Sequence, residues 1–446
     1  MNILIIGAGD IGTMLARRLS FEKHNITMIE QDAKLVELAA EQLDAIVLHG
    51  SGTSYEKLKE ARMDTADVVA ALSDNDEVNL LACRMAKDLG VKTTIARVRN
   101  PEFTLKDETF DSASFGVDFV VQPEMIAAEA FKALIRQDNA TDIIEFGEDE
   151  IVLFGLSIDS RSSLVDISMI DLGKKFLDLP MRVVAIKRGA VTIVPKGSDL
   201  ILKGDQVFIV AAPNDVQKVL SRFGKTKRSM KRLMLIGGGQ IAKFIAKDLE
   251  KNYKIKIIEV SERKARMRAE ELSNALVIHG DGSDLDLLMY EGLQEIDEFI
   301  TVTGNDETNI ITSLLAKHLK VPRTITLLRK KEYLALSKTL GLDAVVSKQQ
   351  MTVNFIQKLV RRQEIAYFAE LPGLDAEILE FIAIKGSKIC GKKLKDVKFP
   401  QSSIIGAVLR NTKGTIPTGD TVVEPNDKVI IVALPEMVSQ VEKLFK

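Results

Sequence analysis

The residues that could do chemistry in this sequence form two matching sets. The first set opens with the run Gly7-Ala8-Gly9-Asp10-Ile11-Gly12 and reaches a carboxylate at Glu30. The second opens with Gly237-Gly238-Gly239-Gln240-Ile241-Ala242 and reaches Glu259. In each set a short apolar strand precedes the run, and a helix-length segment and a second strand separate it from the acid. This context predicts a dinucleotide-binding turn, in which backbone N–H groups approach a phosphate and the acid meets ribose hydroxyls.

The small residues of each run have separate roles in such a turn. Gly7 permits the tight turn, Gly9 lets the backbone approach a pyrophosphate, and Gly12 lets the helix pack closely on the sheet. In the second run Ala242 takes the third position, where the pattern tolerates a small residue. The helix N-terminus that follows favours an anion through its unpaired N–H groups and its dipole. A domain whose cleft binds nothing is the alternative for each copy.

The two sets belong to one internal repeat. His49-Gly50 precedes His279-Gly280 by 230 positions (279 − 49), and the same displacement maps Asn75 to Glu77 and Asn79 onto Asn305 to Glu307 and Asn309. A repeat of about half the chain indicates two copies of a whole domain set rather than a solenoid, whose period is roughly 20 to 50 residues.

Composition narrows the function classes. The 63 acidic and 61 basic residues nearly balance, so no strong field directs the chain toward nucleic acid. Cys83 and Cys390 lie in different halves without metal-ligand spacing, so neither a disulfide framework nor a zinc site is expected, and a reducing cytoplasm fits. No apolar run approaches the length of a membrane span or a signal peptide. We therefore expect a cytoplasmic protein that binds no nucleic acid.

The order of the predicted elements gives the fold class. Apolar strands alternate with amphipathic helices over residues 1–136, which predicts an α/β domain with a doubly wound parallel sheet. Strand-rich stretches with Gly and Pro turns over 137–222 predict a small α+β domain. The same order returns over 232–362 and 363–446. Residues 223–231 form a basic linker, interpreted either as solvated or as a docking or lipid-facing patch. The expected fold is two Rossmann-like domains, each followed by a small α+β C-terminal regulatory domain.

The acid of each set favours some nucleotides over others. A carboxylate at Glu30 or Glu259 would accept hydrogen bonds from free ribose hydroxyls, each worth about 1.5–3 kcal/mol, and would repel a 2′-phosphate. NAD is therefore expected over NADP. ATP and ADP carry the same free ribose, so the pattern leaves both ligand classes open, and a surface acid at a strand end is the alternative.

A second polar segment follows the fourth strand of each copy. The two segments are Ser73-Asp74-Asn75-Asp76-Glu77 and Thr303-Gly304-Asn305-Asp306-Glu307. Helix capping and first-turn acids explain such segments, and contacts to a ligand in the cleft are the alternative. Arg97, at a strand end beside the predicted cleft, could neutralise a phosphate. Leu327 stands at the matching position, so the two sites should differ in charge.

With these features the chain resembles, over essentially all of its length, the regulatory proteins of Trk potassium-uptake systems, which are built from RCK (or KTN) domains. The resemblance implies a protein that does no chemistry and binds NAD(H) or ATP/ADP as regulatory ligands. It also implies a partner, a membrane-embedded Trk-type potassium transporter subunit, contacted on the cytoplasmic face of the plasma (inner) membrane. A homotetramer of tandem chains would supply a ring of eight RCK domains.

The resemblance also assigns nucleotide contacts. In the first copy they fall on Gly7, Ala8, Gly9, Asp10, Ile11, Gly12, Glu30, Ser51, Ser73, Asp74 and Arg97. In the second copy they fall on Gly237, Gly238, Gly239, Gln240, Ile241, Glu259, Asp281 and Thr303.

Two departures from the family pattern concern the first copy. Ser51 stands where the family usually has Asp, as at Asp281. Asp10 stands where Gln is expected, as at Gln240, and a carboxylate repels a nearby pyrophosphate. The first site is therefore expected to bind less tightly or to prefer another nucleotide.

An NAD-dependent oxidoreductase is the alternative function, because the same fold carries redox enzymes. Tyr55 and Lys59 match a Tyr-x-x-x-Lys pattern, but they follow the first turn too closely to belong to the catalytic helix of short-chain dehydrogenases. Histidine is the commonest proton-transfer residue, and none of His24, His49, His279 and His318 forms a catalytic pattern. A structural scaffold with vestigial clefts is the third interpretation. We expect no catalytic residue and no metal site.

Overall fold

The structure is a computed structural model that describes residues 1–100, 103, 112–136, 140–146, 150–159, 162–189, 191–224, 232–337, 339–360, 367–369, 374–411 and 413–446. The strands of the first half are β1 (Asn2–Ile6), β2 (Asn25–Glu30), β3 (Ile46–His49), β4 (Val68–Ala71), β5 (Thr93–Arg97), β6 (Phe119–Val121), β7 (Ile143–Phe146), β8 (Ile151–Ser157), β9 (Ile167–Ser168), β10 (Met181–Arg188), β11 (Val191–Ile193), β12 (Leu200–Ile201) and β13 (Gln206–Ala211). The strands of the second half are β14 (Arg232–Ile236), β15 (Lys254–Glu259), β16 (Leu276–His279), β17 (Glu298–Thr301), β18 (Arg323–Leu327), β19 (Ala344–Val346), β20 (Tyr367–Ala369), β21 (Glu377–Ile382), β22 (Ser403–Arg410), β23 (Lys413–Thr415) and β24 (Lys428–Ala433). The helices are α1 (Asp10–Phe21), α2 (Ala33–Gln42), α3 (Tyr55–Glu60), α4 (Asp76–Asp88), α5 (Pro123–Arg136), α6 (Met169–Lys175), α7 (Pro213–Arg222), α8 (Gln240–Leu249), α9 (Glu262–Glu271), α10 (Leu285–Tyr290), α11 (Asp306–His318), α12 (Lys331–Leu336), α13 (Lys348–Val360) and α14 (Val438–Phe445).

The chain forms two compact units, and neither is a simple half of the sequence. One unit contains Met1–Ala127 and Lys348–Gln363, and the other contains Ala128–Ser347 and Glu364–Lys446. Helix α5 therefore begins in the first unit and ends in the second. The domain boundaries expected from the sequence remain predictions. Of the basic linker, residues 225–231 lie outside the described residues.

The first unit is built on a six-stranded parallel sheet with the order β3-β2-β1-β4-β5-β6. Strand β1 is buried from Ile3 to Ile6 and β4 along its whole length, as expected for central strands covered by helices on both faces. The order reverses direction between β1 and β4. In open sheets of this kind, a ligand crevice forms outside the carboxyl ends of the strands at that switch point.

Helix α13, from the second half of the sequence, completes the core of the first unit. Its residues Val353 and Ile356 are fully buried in the same cluster as Leu15 and Leu19 of α1. Beside them, Arg18 donates hydrogen bonds to Asn354 Oδ1 at 2.5 Å and to Gln357 Oε1 at 3.0 Å. The buried guanidinium therefore fixes the place of α13 on α1.

The second unit contains a matching parallel sheet with the order β16-β15-β14-β17-β18-β19. The C-terminal part of α5 packs on this sheet. Arg323 of β18 donates to the backbone oxygen of Leu134 at 2.8 Å, and Lys132 pairs with Asp248 of α8. Each parallel sheet is thus packed by a helix that comes from the other half of the sequence.

The second unit also contains both small domains. Their antiparallel sheets have the orders β11-β10-β13-β8-β7 and β20-β21-β24-β22-β23. One hydrophobic cluster includes residues of both sheets, among them Val184 and Val210 from one and Ile430 and Val432 from the other. The two sheets approach closely at Gly406, where a Cβ would lie 3.1 Å from Val210 Cγ2. The predicted fold class, Rossmann-like domains each followed by a small α+β domain, is confirmed.

No helix among the described residues is long and apolar enough to span a bilayer.

Candidate functional site

The chain itself requires glycine at the first position of both turns and at the third position of the first turn. Gly7 and Gly237 have φ of 101° and 102°, in the left-handed region that favours glycine. A Cβ on Gly7 would lie 2.9 Å from the backbone of Ser73, and a Cβ on Gly12 would lie 2.0 Å from the Gly7 oxygen. In the second copy, Ala242 occupies the third position and is fully buried.

Gly9 and Gly239 differ from their neighbours, because the described part of the chain does not require glycine at either position. They are the N-cap residues of α1 and α8, with φ of −67° and −68°, which any residue adopts. A Cβ on either would meet no atom of the described residues within 4 Å. Both glycines therefore leave open space at a helix N-terminus, where unpaired N–H groups favour an anion.

The acid at the end of the second strand is bonded to the glycine-rich turn. Glu30 accepts hydrogen bonds from the N–H groups of Ala8 at 2.6 Å, Gln31 at 2.7 Å and Asp32 at 2.9 Å. Glu259 accepts from Gly238 at 2.5 Å and Ser261 at 2.9 Å, and is only 6% exposed. Each carboxylate thus holds its turn against the next strand, a role that the sequence pattern did not reveal.

A buried asparagine joins two strand ends in each copy. The side-chain amide of Asn309 donates to the oxygens of Thr303 and Leu327, and its Oδ1 accepts from the N–H and hydroxyl of Thr303. Asn79 makes the same bonds with Ser73 and with the oxygen of Arg97. Ser73 and Thr303 are therefore held in place at the carboxyl ends of the strands, near the turn.

The positions of Arg97 and Asp74 explain the charge difference expected between the sites. Arg97 Nη1 donates to Asp74 Oδ1 at 2.8 Å, and Arg97 is 13% exposed whereas Asp74 is 86% exposed. Arg97 Nε is buried and has no hydrogen-bond partner among the described residues. In the second copy, Leu327 and Gly304 take these positions, so both charges are absent there.

Asp10 and Gln240 are the first residues of α1 and α8. Asp10 is exposed, and its Oδ2 accepts from Gln349 of α13 at 3.3 Å. A carboxylate in a first helical turn is favoured by the helix dipole, although it would repel a phosphate there. The Oε1 atom of Gln240 is buried without a partner in the described part of the chain. The next residues, Ile11 and Ile241, have buried side chains.

The turn after the third strand uses Asp in one copy and Ser in the other. Asp281 Oδ1 accepts from the N–H of Ser283 at 2.8 Å and from its hydroxyl at 2.7 Å. These bonds hold the pKa of Asp281 below its usual value of 3.8. In the first copy, Ser51 Oγ accepts from the Thr53 N–H at 3.3 Å and bonds its hydroxyl at 3.0 Å. Asp281 and Ser51 therefore stabilise the same turn in the two copies, but only Asp281 carries a charge.

A cleft of about 400 Å³ lies between these elements in the second copy. Five of the predicted residues line it: Gly237, Gly239, Glu259, Asp281 and Thr303. It is also lined by Gly304 and Asn305, of the segment for which contacts in the cleft were the alternative interpretation. The residues that were not predicted are Ile236, Ile258, Val260, Lys264, Gly282, Val302 and Thr308. Lys264 is a cation that the repeat could have revealed, because Lys34 stands 230 positions before it.

Comparison with known proteins agrees with this geometry. The TrkA-N domain family matches residues 3–123 and 233–348, and the TrkA-C domain family matches residues 153–224 and 378–446. Among solved structures, the fold is similar to the GsuK RCK domain, with a TM-score of 0.61 at 17% identity, covering 100% of this chain and 94% of that one. The fold and its two glycine-rich turns thus define a tandem RCK-type protein with two Rossmann-like domains.

Curated relatives match over the whole length. "Trk system potassium uptake protein TrkA homolog 1" of Methanosarcina mazei is 36% identical over 455 residues, covering 100% of both chains. "Trk system potassium uptake protein TrkA" of Vibrio alginolyticus is 32% identical over 452 residues, covering 100% of this chain and 99% of that one. The chain belongs to the TrkA family of Trk system potassium uptake proteins.

Proposed function

We propose that this chain is the nucleotide-binding regulatory subunit of a Trk-type potassium-uptake system. The observation that carries the proposal is the open space at Gly9 and again at Gly239. Neither the backbone conformation nor the packing of the described residues requires glycine there. A bound phosphate at the helix N-terminus would require it, because any side chain would occupy the place of the ligand. The presence of this feature in both copies speaks against vestigial clefts.

The ligands proposed are NAD(H) or ATP/ADP. Glu30 and Glu259, which accept hydrogen bonds from the glycine-rich turns, would also accept hydrogen bonds from a free ribose, which all of these nucleotides carry. Two similar solved structures are consistent with both classes: "GsuK channel bound to NAD", with a TM-score of 0.61, and "Crystal structure of the GsuK bound to ADP", with a TM-score of 0.52. The contacts proposed are the residues expected from the sequence. Ile11 and Ile241 would contribute only backbone N–H groups, since their side chains are buried.

The two sites are proposed to differ in ligand preference. The first cleft adds Arg97, which could contact a phosphate, but also Asp10 and Asp74. The second cleft has Asp281 on its wall, where the first copy has the uncharged Ser51. Because a charged partner changes a phosphate interaction strongly, these differences favour different nucleotides or different affinities in the two clefts.

Regulation would act through conformation rather than through catalysis. His49 and His279 bond the backbone oxygens of Gln31 and Val260, which supports a turn role for them over proton transfer. The protein would act as a homotetramer, with a ring of eight RCK domains on the cytoplasmic face of the membrane, bound to the membrane-embedded transporter subunit. A nucleotide shifts such a ring only by binding one arrangement more tightly, and a coupling of about 1–3 kcal/mol is typical.

Rubidium uptake in cells that lack the endogenous gene tests the proposal. The intact chain should restore uptake. Gly9→Asp and Gly239→Asp introduce a carboxylate at positions where a Cβ would meet no described atom within 4 Å, so they should block nucleotide binding while the protein still folds. Gly173→Asp is the control, because Gly173 of α6 is exposed, also lies in open space and is in a small domain.

Altered uptake with the two turn variants and normal uptake with the control would support the proposal. Normal uptake with the expressed double variant Gly9→Asp/Gly239→Asp would refute nucleotide regulation. Failure of the intact, expressed chain to change uptake would favour the oxidoreductase alternative.

A further inference from the structure

We propose that Arg268 is a positioning residue of the second cleft, which fixes the backbone carbonyl of Gly238 and so orients the glycine-rich turn for a nucleotide phosphate. This inference rests on the proposed function, because it names a residue that prepares the same site. Arg268 lies outside the glycine-rich run and does not line the cleft.

The contacts of Arg268 place it against the turn. Its side chain extends from α9 and is 3% exposed, and its Nε donates to the Gly238 oxygen at 2.9 Å. Its Nη1 pairs with Glu271, which also accepts from Lys243 Nζ at 2.7 Å. Burial alone would raise the pKa of Glu271, but hydrogen bonds from Lys243 and Arg268 lower it. Glu271 therefore stays ionised and holds the guanidinium at the carbonyl.

The residue Gly238 is consequently held on both sides. Its N–H donates to Glu259, and its carbonyl oxygen accepts from Arg268. Glycine has more conformational freedom to lose than any other residue, so an unheld glycine at this place would have to be ordered when the ligand binds. Fixing it beforehand strengthens binding, because the ordering penalty no longer falls on the binding step.

The first copy holds the equivalent carbonyl by a different donor. There the hydroxyl of Thr13 donates to the Ala8 oxygen at 2.7 Å, while the Ala8 N–H donates to Glu30. The displacement of 230 maps Thr13 onto Lys243 (243 − 13) and Leu38 onto Arg268 (268 − 38). Leu38 is 49% exposed and has no hydrogen-bonding group. Thr13 and Arg268 occupy unrelated positions, yet each donates a hydrogen bond to the equivalent backbone oxygen of its own copy. This indicates that fixing this oxygen matters in both copies.

The same comparison supplies the test. The repeat also maps Glu41 onto Glu271 (271 − 41), so Arg268→Leu combined with Lys243→Thr reproduces the first copy at all three positions. The single variant Arg268→Leu removes the donor to Gly238. The double variant removes a second positive charge as well, but it introduces a hydroxyl where the first copy has its own donor.

Calorimetry on the full-length protein would use NAD and ADP as probes, in a Gly9→Asp background that blocks the first cleft. We expect Arg268→Leu to weaken binding about tenfold, as for the loss of about 1.4 kcal/mol. We expect the double variant to recover most of the affinity, a recovery that a general effect of charge or of stability would not produce. Similar melting temperatures would show that the variants fold.

Several results would overturn the inference. Binding by Arg268→Leu within about twofold of the parent would refute it, because the lost hydrogen bond to a charged donor should weaken binding more. A double variant weaker than the single variant would assign the effect to charge. If Arg268→Leu does not fold, Thr13→Val in a Gly239→Asp background tests the same principle in the first cleft, where unchanged affinity would refute it. A parent protein that binds neither probe would refute the proposed function itself.

Discussion

The carboxylate of Glu259 accepts a hydrogen bond from the backbone N–H of Gly238 at 2.5 Å. The acid at the end of β15 is thereby joined to the turn that follows β14, and Glu30 and Ala8 form the same link in the first copy. A carboxylate has two oxygens and about four acceptor sites, so it can hold the turn and still meet ribose hydroxyls. Under the proposed function, structural and binding roles would therefore fall on the same side chain.

Substitutions of Glu259 should separate these two roles. In a Gly9→Asp background, Glu259→Ala should lower both nucleotide affinity and melting temperature, because the N–H groups of Gly238 and Ser261 lose their acceptor. An unsatisfied buried donor costs about 1–3 kcal/mol. Glu259→Gln keeps one acceptor oxygen but loses the charge, so it should weaken binding with a smaller loss of stability. Calorimetry and thermal denaturation check both, and parent-like affinity of Glu259→Ala would contradict the assignment.

Removal of the buried asparagine should loosen two strand ends at once. Asn309 is fully buried, and Asn309→Ala would leave the Thr303 N–H and the oxygens of Thr303 and Leu327 without their partner. We expect a loss of at least about 2 kcal/mol in the free energy of unfolding. Hydrogen exchange should accelerate at Thr303 and at the ends of β17 and β18. Protection equal to the parent at these amides would show that the asparagine does not hold the strands, and Asn79→Ala offers the matched test in the first copy.

Arg97 should matter for phosphate binding in the first cleft only. In a Gly239→Asp background, Arg97→Leu copies the residue at the matching position and should weaken nucleotide binding about tenfold, the effect of losing one charge-assisted hydrogen bond of about 1.4 kcal/mol. The nucleotide affinity of Arg97→Leu should also depend less on salt concentration than that of the parent. The control is Arg84→Leu, which removes an exposed arginine of α4 that pairs with Asp88 and is not a proposed contact, and which should leave binding unchanged. Calorimetry at low and high salt measures both effects, and equal affinity of parent and Arg97→Leu would exclude a phosphate contact.

The turn at Asp281 should respond to acid. The N–H and hydroxyl of Ser283 lower the pKa of Asp281 below 3.8, so its ionised form stabilises the folded state above that pH. This stabilisation should begin to decrease as the pH falls below 3.8, the usual pKa of the carboxyl group. It should be lost once the pH has also fallen through the lower pKa of Asp281 in the folded state. The variant Asp281→Asn does not titrate. Its melting temperature should therefore lie below that of the parent near neutral pH, and the difference should shrink in acid. A difference that is constant with pH would contradict the assigned hydrogen bonds.

Much of the fold was predictable because its signals are local. The glycine spacing, the apolar runs and the repeat predict the two parallel sheets and the turns that follow β1 and β14. The packing of α13 on α1 was not predictable, since Arg18 and Asn354 are separated by 336 residues and an amphipathic pattern does not name its partner. The role of Arg268 was not predictable for a related reason. The repeat has an apolar residue, Leu38, at the matching position, and only the structure shows that Arg268 donates to the Gly238 oxygen.

The close approach of Gly406 to Val184 and Val210 means that the two small domains pair within one polypeptide. Covalent linkage gives such a pair an effective concentration that can reach about the millimolar range, so dilution does not separate it. The linkage also fixes a one-to-one ratio of the two halves of the repeat, which differ in sequence. Two separate chains, each with one half, would not guarantee that ratio. The two glycine-rich turns can therefore have different surroundings, with Arg97 near one and Arg268 behind the other, while the two small domains remain paired.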